Sequence, residues 1–330
     1  MSTMGRAETT EAGRPQPPPP AAGATIRTEG LSKRFGGTEA LSGVSLAVPE
    51  GSIYALVGAN GAGKTTLIKL VMNILRPTAG RAEVLGMASE RLEGKGLNRI
   101  GYVSENQEHP EWMTVGQMLA YVRPFYPGWD GALEQELVAQ FDLPLERKLK
   151  HLSRGMRMKA AMASALAFRP ALLVLDEPFS GLDPLVRDEL IEGLLDRSPE
   201  TTVFLSSHDL AEIESFSSHV GYLEQGRLLF SEEMGVLSER FREVTVTLNG
   251  AGATPKSVPA GWLQYEAADS VVKFVHSECR GEQTAAELRQ MFPTAKDIEI
   301  EPMALRSIFL AVARAGRTQR VANHRERSRA

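Results

Sequence analysis

Gly58-Ala59-Asn60-Gly61-Ala62-Gly63-Lys64-Thr65 fits the pattern G-x-x-x-x-G-K-[ST] without a mismatch. These residue types suit one task, the cradling of phosphate. Glycines let backbone N–H groups converge on phosphate oxygens, and a helix N-terminus adds positive potential. Lys64 can reach the outer phosphates, Thr65 can offer a hydroxyl to Mg²⁺, and Thr66 completes the candidate contact run. A second feature, Leu172-Leu173-Val174-Leu175-Asp176-Glu177, ends four apolar residues in two adjacent carboxylates. Asp176 can face a metal directly or through water. Glu177 can point toward a water lined up for attack on the terminal phosphate, where a carboxylate is the natural base. An apolar strand ending in Asp-Glu is ordinary by itself; beside the phosphate cradle it becomes a site.

Both features need a rigid frame. The cradle follows an apolar run, Ile53 to Val57, and precedes a helical pattern (Leu67, Leu70, Val71, Ile74) that stops before Pro77. Upstream, Ile26–Phe35 and Leu41–Val48 read as strands around a Gly36-Gly37 turn, and Gly80–Gly86 and Ile100–Val103 as two more. From Thr114 to Arg169 the pattern is helical, broken by Pro124, Pro127, Pro144 and the Leu152–Met156 loop. Strands Leu172–Leu175, Thr202–Leu205 and Val220–Leu223 then alternate with helices Leu185–Leu195 and Leu210–Phe216. That alternation predicts an α/β fold with a mainly parallel sheet and helices on both faces.

From about residue 240 the pattern changes. Val244, Val246 and Leu248 alternate as a half-buried strand, which Val271–Val275 and Ile298–Ile300 could pair with, around a Gly250–Pro259 loop. Leu305, Ile308, Phe309 and Val312 have helical spacing. We therefore expect a small α+β domain over residues 240–315.

Composition narrows the function. The 330 residues are 42% hydrophobic and 24% charged, ordinary for a globular chain. Lys and Arg number 37 against 41 Asp and Glu, a net charge of -4 that argues against a nucleic-acid-wrapping protein. One cysteine, Cys279, excludes an internal disulfide framework and a four-cysteine zinc site. The longest apolar candidate, Ala160 to Phe168, falls well short of the roughly 20 residues a membrane span needs. The segment 1–24 is polar and proline-rich, without the apolar core of a signal peptide, and is expected to be disordered. The end, 316–330, is arginine-rich (Arg317, Arg320, Arg325, Arg327, Arg329) and reads as a basic disordered tail, with an anionic membrane leaflet as a possible counterpart.

On these motifs, residues 25 to 235 resemble the ATP-binding subunit of an ABC transporter. The most specific match is Leu152-Ser153-Arg154-Gly155-Met156, similar to the family's L-S-G-G-Q segment, with Met156 standing 20 residues before Asp176. Ser153 and Gly155 match; Arg154 and Met156 depart. The resemblance implies that Ser153 and Gly155 face the terminal phosphate held by a second subunit. Pro178 to Asp183 looks like the loop that touches the opposing subunit, and His208 like the switch histidine at that phosphate. Phe35 stands where an aromatic stacks on adenine. The family usually carries Gln just after Gly-Tyr-x-Pro; here Gly101-Tyr102-Val103-Ser104 is followed by Glu105, with Gln107 two residues later. Either could reach Mg²⁺ or the attacking water.

The resemblance further implies a P-loop NTPase core with an antiparallel β subdomain and a helical subdomain at about 105–169, all within residues 25–239. It implies ATP and Mg²⁺ as ligands, a second copy or a homologous ATPase subunit as partner, and a separately encoded membrane permease, most simply for export. Nucleic acid is not expected. Such a subunit would be cytoplasmic and peripheral on the inner membrane face through its permease. Trp112, Tyr121, Tyr126 and Trp129 would help receive the permease, or else form subdomain core. The rival reading is a non-transport ABC ATPase, regulatory or associated with nucleic acid or translation; such proteins usually carry two cassettes, a coiled-coil insertion or a basic surface.

Overall fold

The computed structural model describes residues 23–105, 107, 110–197, 200–249 and 258–315. The proline-rich segment 1–22, the basic segment after 315 and most of the expected Gly250–Pro259 loop lie outside the described residues. Strands β1 (Ala24–Phe35) and β2 (Thr38–Pro49) form a hairpin, and β3 (Ile53–Val57) runs through the glycine loop into α1 (Lys64–Val71). Next come β4 (Ala79–Val84), β5 (Met87–Ala88) and β6 (Ile100–Ser104), then helices α2 (Val115–Val122), α3 (Gly131–Gln140) and α4 (Arg154–Leu166). The chain returns through β7 (Leu172–Asp176), α5 (Pro184–Leu195), β8 (Thr202–Ser207), α6 (Leu210–Ile213), β9 (His219–Glu224), β10 (Arg227–Glu233) and α7 (Met234–Arg240).

The central sheet has the order β10-β9-β3-β8-β7-β6, with only β10 antiparallel to its neighbour. A parallel sheet covered on both faces needs apolar residues on both sides of each strand. Strand β3 meets that need: Ile53, Ala55 and Val57 join one core, Tyr54 and Leu56 the other. Strand β7 divides likewise, with Leu173 and Leu175 on one side and Leu172 and Val174 on the other. The second core is closed by an antiparallel sheet in the order β2-β1-β4-β5. On the opposite side α4 lies against β6 so closely that a Cβ at Gly101 would come within 2.7 Å of the Ala165 carbonyl oxygen. The small residues Ala160, Ala161, Ala163 and Ala165 keep that helix thin and buried.

The aromatics of the helical region divide. Tyr126 stacks on Phe168 with centroids 3.9 Å apart, and Trp129 lies 6.5 Å from the same Phe168 ring and packs on the helical side of the core. Trp112 and Tyr121 are exposed.

The last domain is a four-stranded antiparallel sheet, β12-β13-β11-β14, from β11 (Arg242–Leu248), β12 (Trp262–Ala268), β13 (Val271–His276) and β14 (Ala295–Pro302), with α8 (Glu282–Met291) against it. Both expected partners of β11 are in place, Val246 lying opposite Val272 and Ile298. Trp262, stacked 3.8 Å from Phe274, anchors its core, in a strand that the alternation pattern did not reveal.

One expectation changes. The helix over residues 305–315, placed in the accessory domain by sequence, packs instead with the first domain's core. Phe309 meets Tyr222 at 4.7 Å and Phe230 at 5.1 Å edge-on, and the Leu305 N–H donates to Glu214 Oε1 at 3.3 Å. Helical spacing shows that an apolar face exists, not which surface covers it. Phe309→Ala removes a buried ring from this seam and should cost about 3 kcal/mol. The exposed Phe125→Ala should cost under about 0.5 kcal/mol. Urea unfolding of both variants checks the contrast.

Candidate active site

The glycine loop is shaped by what surrounds it. A Cβ at Gly58 would fall 2.2 Å from the Leu223 carbonyl oxygen, and Gly63, at φ 109°, would meet the Ala40 carbonyl at 2.7 Å. Side chains are excluded at both positions, so the backbone itself lines the loop. The Ala62 N–H donates to Ala59 O at 3.0 Å, and the Gly226 N–H to Ala62 O at 2.8 Å, fixing the turn from outside. Gly63 is the N-cap of α1, whose first turn holds no acidic residue, so the helix's positive end stands at the loop. Asn60 and Gly61 form the exposed tip.

Lys64 is buried, 5% exposed. Its Nζ donates to Gly58 O at 2.6 Å and pairs with Glu177 Oε1 at 3.0 Å. The other Glu177 oxygen lies 2.7 Å from His208 Nδ1. Each carboxylate oxygen therefore has its own nitrogen partner, one from the phosphate loop and one from the segment after β8. Glu177 is 8% exposed and takes φ 52°, a left-handed backbone that a non-glycine residue adopts at a cost. That turn, directly after β7, re-aims the side chain out of the strand's alternation.

Asp176 sits one residue earlier with different partners. Thr65 Oγ1 donates to its Oδ1 at 3.1 Å, and Ser206 Oγ donates to the same oxygen at 2.7 Å. The Ser206 hydroxyl also accepts the Glu177 N–H at 3.0 Å, so one buried side chain positions both carboxylates. Sequence reasoning passed over Ser206. The available signal was a hydroxyl at the end of a buried strand two residues before His208. Beyond it, Ser207 Oγ donates to Glu212 Oε2 at 3.1 Å, and burial raises the Glu212 carboxyl above its ordinary range.

The other candidates lie around this centre. Phe35, at the end of β1, is 47% exposed with Lys33 Nζ 5.1 Å from its ring centroid, so it is no core residue. Ser153 caps α4, its Oγ accepting the Met156 N–H at 3.2 Å. Gly155 lets α4 touch α5, since a Cβ there would be 2.9 Å from Val186 Cγ1. Asp183 caps α5, accepting the Val186 N–H at 3.1 Å. Phe179, next to the carboxylates, packs edge-on against Phe216 at 5.8 Å. Glu105 is ion-paired with Arg154 at 3.0 Å, and Gln107 lines the same cleft of about 240 Å³. The structure thus joins Lys64, Thr65, Asp176, Glu177 and His208 into one contact network. Glu105, Gln107, Phe35, Ser153, Gly155 and Asp183 hold contacts outside it.

A parallel sheet with a phosphate loop after one strand and paired carboxylates after its near neighbour defines a P-loop ATPase cassette. A family model described as "ABC transporter" matches residues 41–180. The chain is 32% identical over 224 residues to the bacitracin transport ATP-binding protein BcrA of Enterococcus faecalis, covering 67% of this chain and 73% of that one. It is 36% identical over 213 residues to the daunorubicin resistance ATP-binding protein DrrA2 of Streptomyces coeruleorubidus, covering 63% and 66%. A solved structure of an ATP-binding subunit of an ABC transporter superposes with TM-score 0.58 at 28% identity, covering 64% of this chain and 91% of that chain. This chain belongs to the ATP-binding proteins of ABC transporters: it is an ATPase that binds adenine nucleotide. Among the described residues no helix is long and apolar enough to cross a membrane.

Ser206→Ala strands the buried Glu177 N–H and removes a donor from Asp176. Each loss of this kind costs about 1–3 kcal/mol. We expect unfolding free energy to drop by about 2 kcal/mol and ATPase turnover to fall, with Ser206→Thr retaining most of both. Urea titration and a phosphate-release assay test it.

Proposed function

We propose that the chain is the energising subunit of an export system, hydrolysing ATP between two copies of itself on the cytoplasmic side of a membrane permease. The observation that carries the catalytic part is the Lys64–Glu177–His208 chain, a buried carboxylate between the phosphate loop and the post-β8 histidine. Incoming phosphates would take over Lys64, a charge-assisted exchange, and leave Glu177 facing the water it deprotonates. His208 would then meet the terminal phosphate. Backbone N–H groups from Gly58 to Thr66 would line the phosphates, and Phe35 would stack on the base.

The donor set near Thr65 also suits a cation. A hydroxyl and a carboxylate 3.1 Å apart are the hard oxygen ligands Mg²⁺ prefers. Thr65 and Asp176 would hold it, with Glu105 or Gln107 as the remaining candidates. Bound there, Mg²⁺ would neutralise phosphate charge.

Ser153, Gly155 and Asp183 would act across the pair of copies, Ser153 toward the partner's nucleotide. Closure on ATP and opening after hydrolysis would drive the permease, a lid-type cycle. Exposed Trp112 and Tyr121 support docking of a membrane partner on the helical region. Relatives named for bacitracin transport and daunorubicin resistance favour export.

Glu177→Gln keeps the loop intact and removes the base. It should bind Mg-ATP normally, hydrolyse it at least about 100-fold more slowly and accumulate as an ATP-bound dimer. Lys64→Ala should instead weaken nucleotide binding itself by about 10- to 100-fold, the loss of one charged contact of roughly 1.5–3 kcal/mol. Nucleotide titration with a parallel turnover assay separates the two. Wild-type turnover in Glu177→Gln would overturn the base assignment.

A further inference from the structure

Two departures from the family pattern meet in space. Arg154 replaces a glycine of the L-S-G-G-Q segment, and Glu105 stands where the segment after β6 usually carries glutamine. The two side chains are ion-paired, Arg154 Nη2 to Glu105 Oε1, at 3.0 Å. The guanidinium also lies over Gly181: a Cβ there would come 3.2 Å from Arg154 Nη1. Glu105 directly follows Ser104, which pairs in register with Asp176 across β6 and β7. Arg154 thus touches the loops after β6 and after β7, while its own residue opens α4 beside Ser153.

The placement is electrostatically costly. A cation in the first turn of a helix opposes the macrodipole, and α4 carries Arg154 and Arg157 there with no acidic residue among them. Both arginines line the cleft that Glu105 enters. The ion pair is half in solvent, its side chains 47% and 35% exposed. A pair so screened holds weakly and exchanges readily for a more highly charged anion. Arginine is the residue whose fork matches phosphate oxygens.

We propose that Arg154 recognises the terminal phosphate of the nucleotide bound by the second copy, and that Glu105 holds it in reserve until that phosphate arrives. The proposal rests on the reading that two copies close face to face around ATP. Glu105 is then a competitor for Arg154 and a positioning residue for it, not a metal ligand. Loss of the two partners must act in opposite directions, whereas a purely structural tether would fail in the same direction from either side.

The experiment uses the full chain carrying Glu177→Gln, which holds ATP without turnover, and follows dimer formation against ATP concentration by analytical ultracentrifugation. Adding Glu105→Gln should lower the ATP concentration at half-dimerisation on the order of threefold. Adding Arg154→Ala should raise it by a similar factor, Arg154→Lys should fall between, and the double variant should match Arg154→Ala alone. Binding of a fluorescent ATP analogue to the single chain at low protein concentration should be equal in the Arg154 variants and their parent, because the Lys64 loop is untouched. Shifts of the same sign for Glu105→Gln and Arg154→Ala, or effects that add in the double variant, overturn the proposal. Weaker dimerisation in Glu105→Gln returns Glu105 to the metal or the attacking water. If every variant binds ATP yet none dimerises, the two-copy reading falls and the proposal with it.

Discussion

A buried carboxylate between two nitrogen partners organises this molecule. Glu177 reaches the end of β7 with little solvent around it and would be expensive to leave alone there. Lys64 on one side and His208 on the other meet that cost, and each comes from a different strand–loop unit of the sheet. To bring them together, β3, β7 and β8 must lie side by side in a parallel sheet with their carboxyl ends aligned. The register does this: Val57 is opposite Ser207, and Asp176 opposite Ser206. The fold can be read as the frame this three-residue contact requires.

The rest of the site follows from the same edge. Ser206 divides its hydroxyl between Asp176 and the Glu177 backbone, so the two adjacent carboxylates are held by one side chain. The left-handed turn at Glu177 stores modest strain, and the fully buried strands β7 and β8 keep it in place. Sequence departures at Arg154 and Glu105 look like two independent losses when read alone. In three dimensions they are one contact.

Much of this was legible in the sequence because the informative signals are local. A buried strand, a glycine loop and a helix are contiguous in Val57–Lys64, and the chemistry of phosphate binding demands those types in that order. The strands of the parallel sheet were equally plain, since burial on both faces leaves unbroken apolar runs. What escaped depended on distant residues. Ser206 matters through Asp176, 30 positions away, and its only local mark is a hydroxyl at the end of a buried strand. The partner of the final helix was also hidden: Phe309 has helical spacing, but its rings of contact, Tyr222 and Phe230, belong to β9 and β10 of the central sheet, about 80 positions away. Trp262 opens a strand whose alternation is broken by the register shift between Leu263 and Glu266.

If Glu177 and His208 work as one unit, their losses should not multiply. The direct measurement is the rate of ATP hydrolysis at saturating nucleotide for Glu177→Gln, His208→Ala and the double variant, with ATP binding checked for each. Residues that act together are strongly non-additive. The double variant should therefore be about as slow as Glu177→Gln alone. A double variant slower by the product of the two single losses would show that the histidine and the carboxylate act independently, and the contact at 2.7 Å would not be the working one.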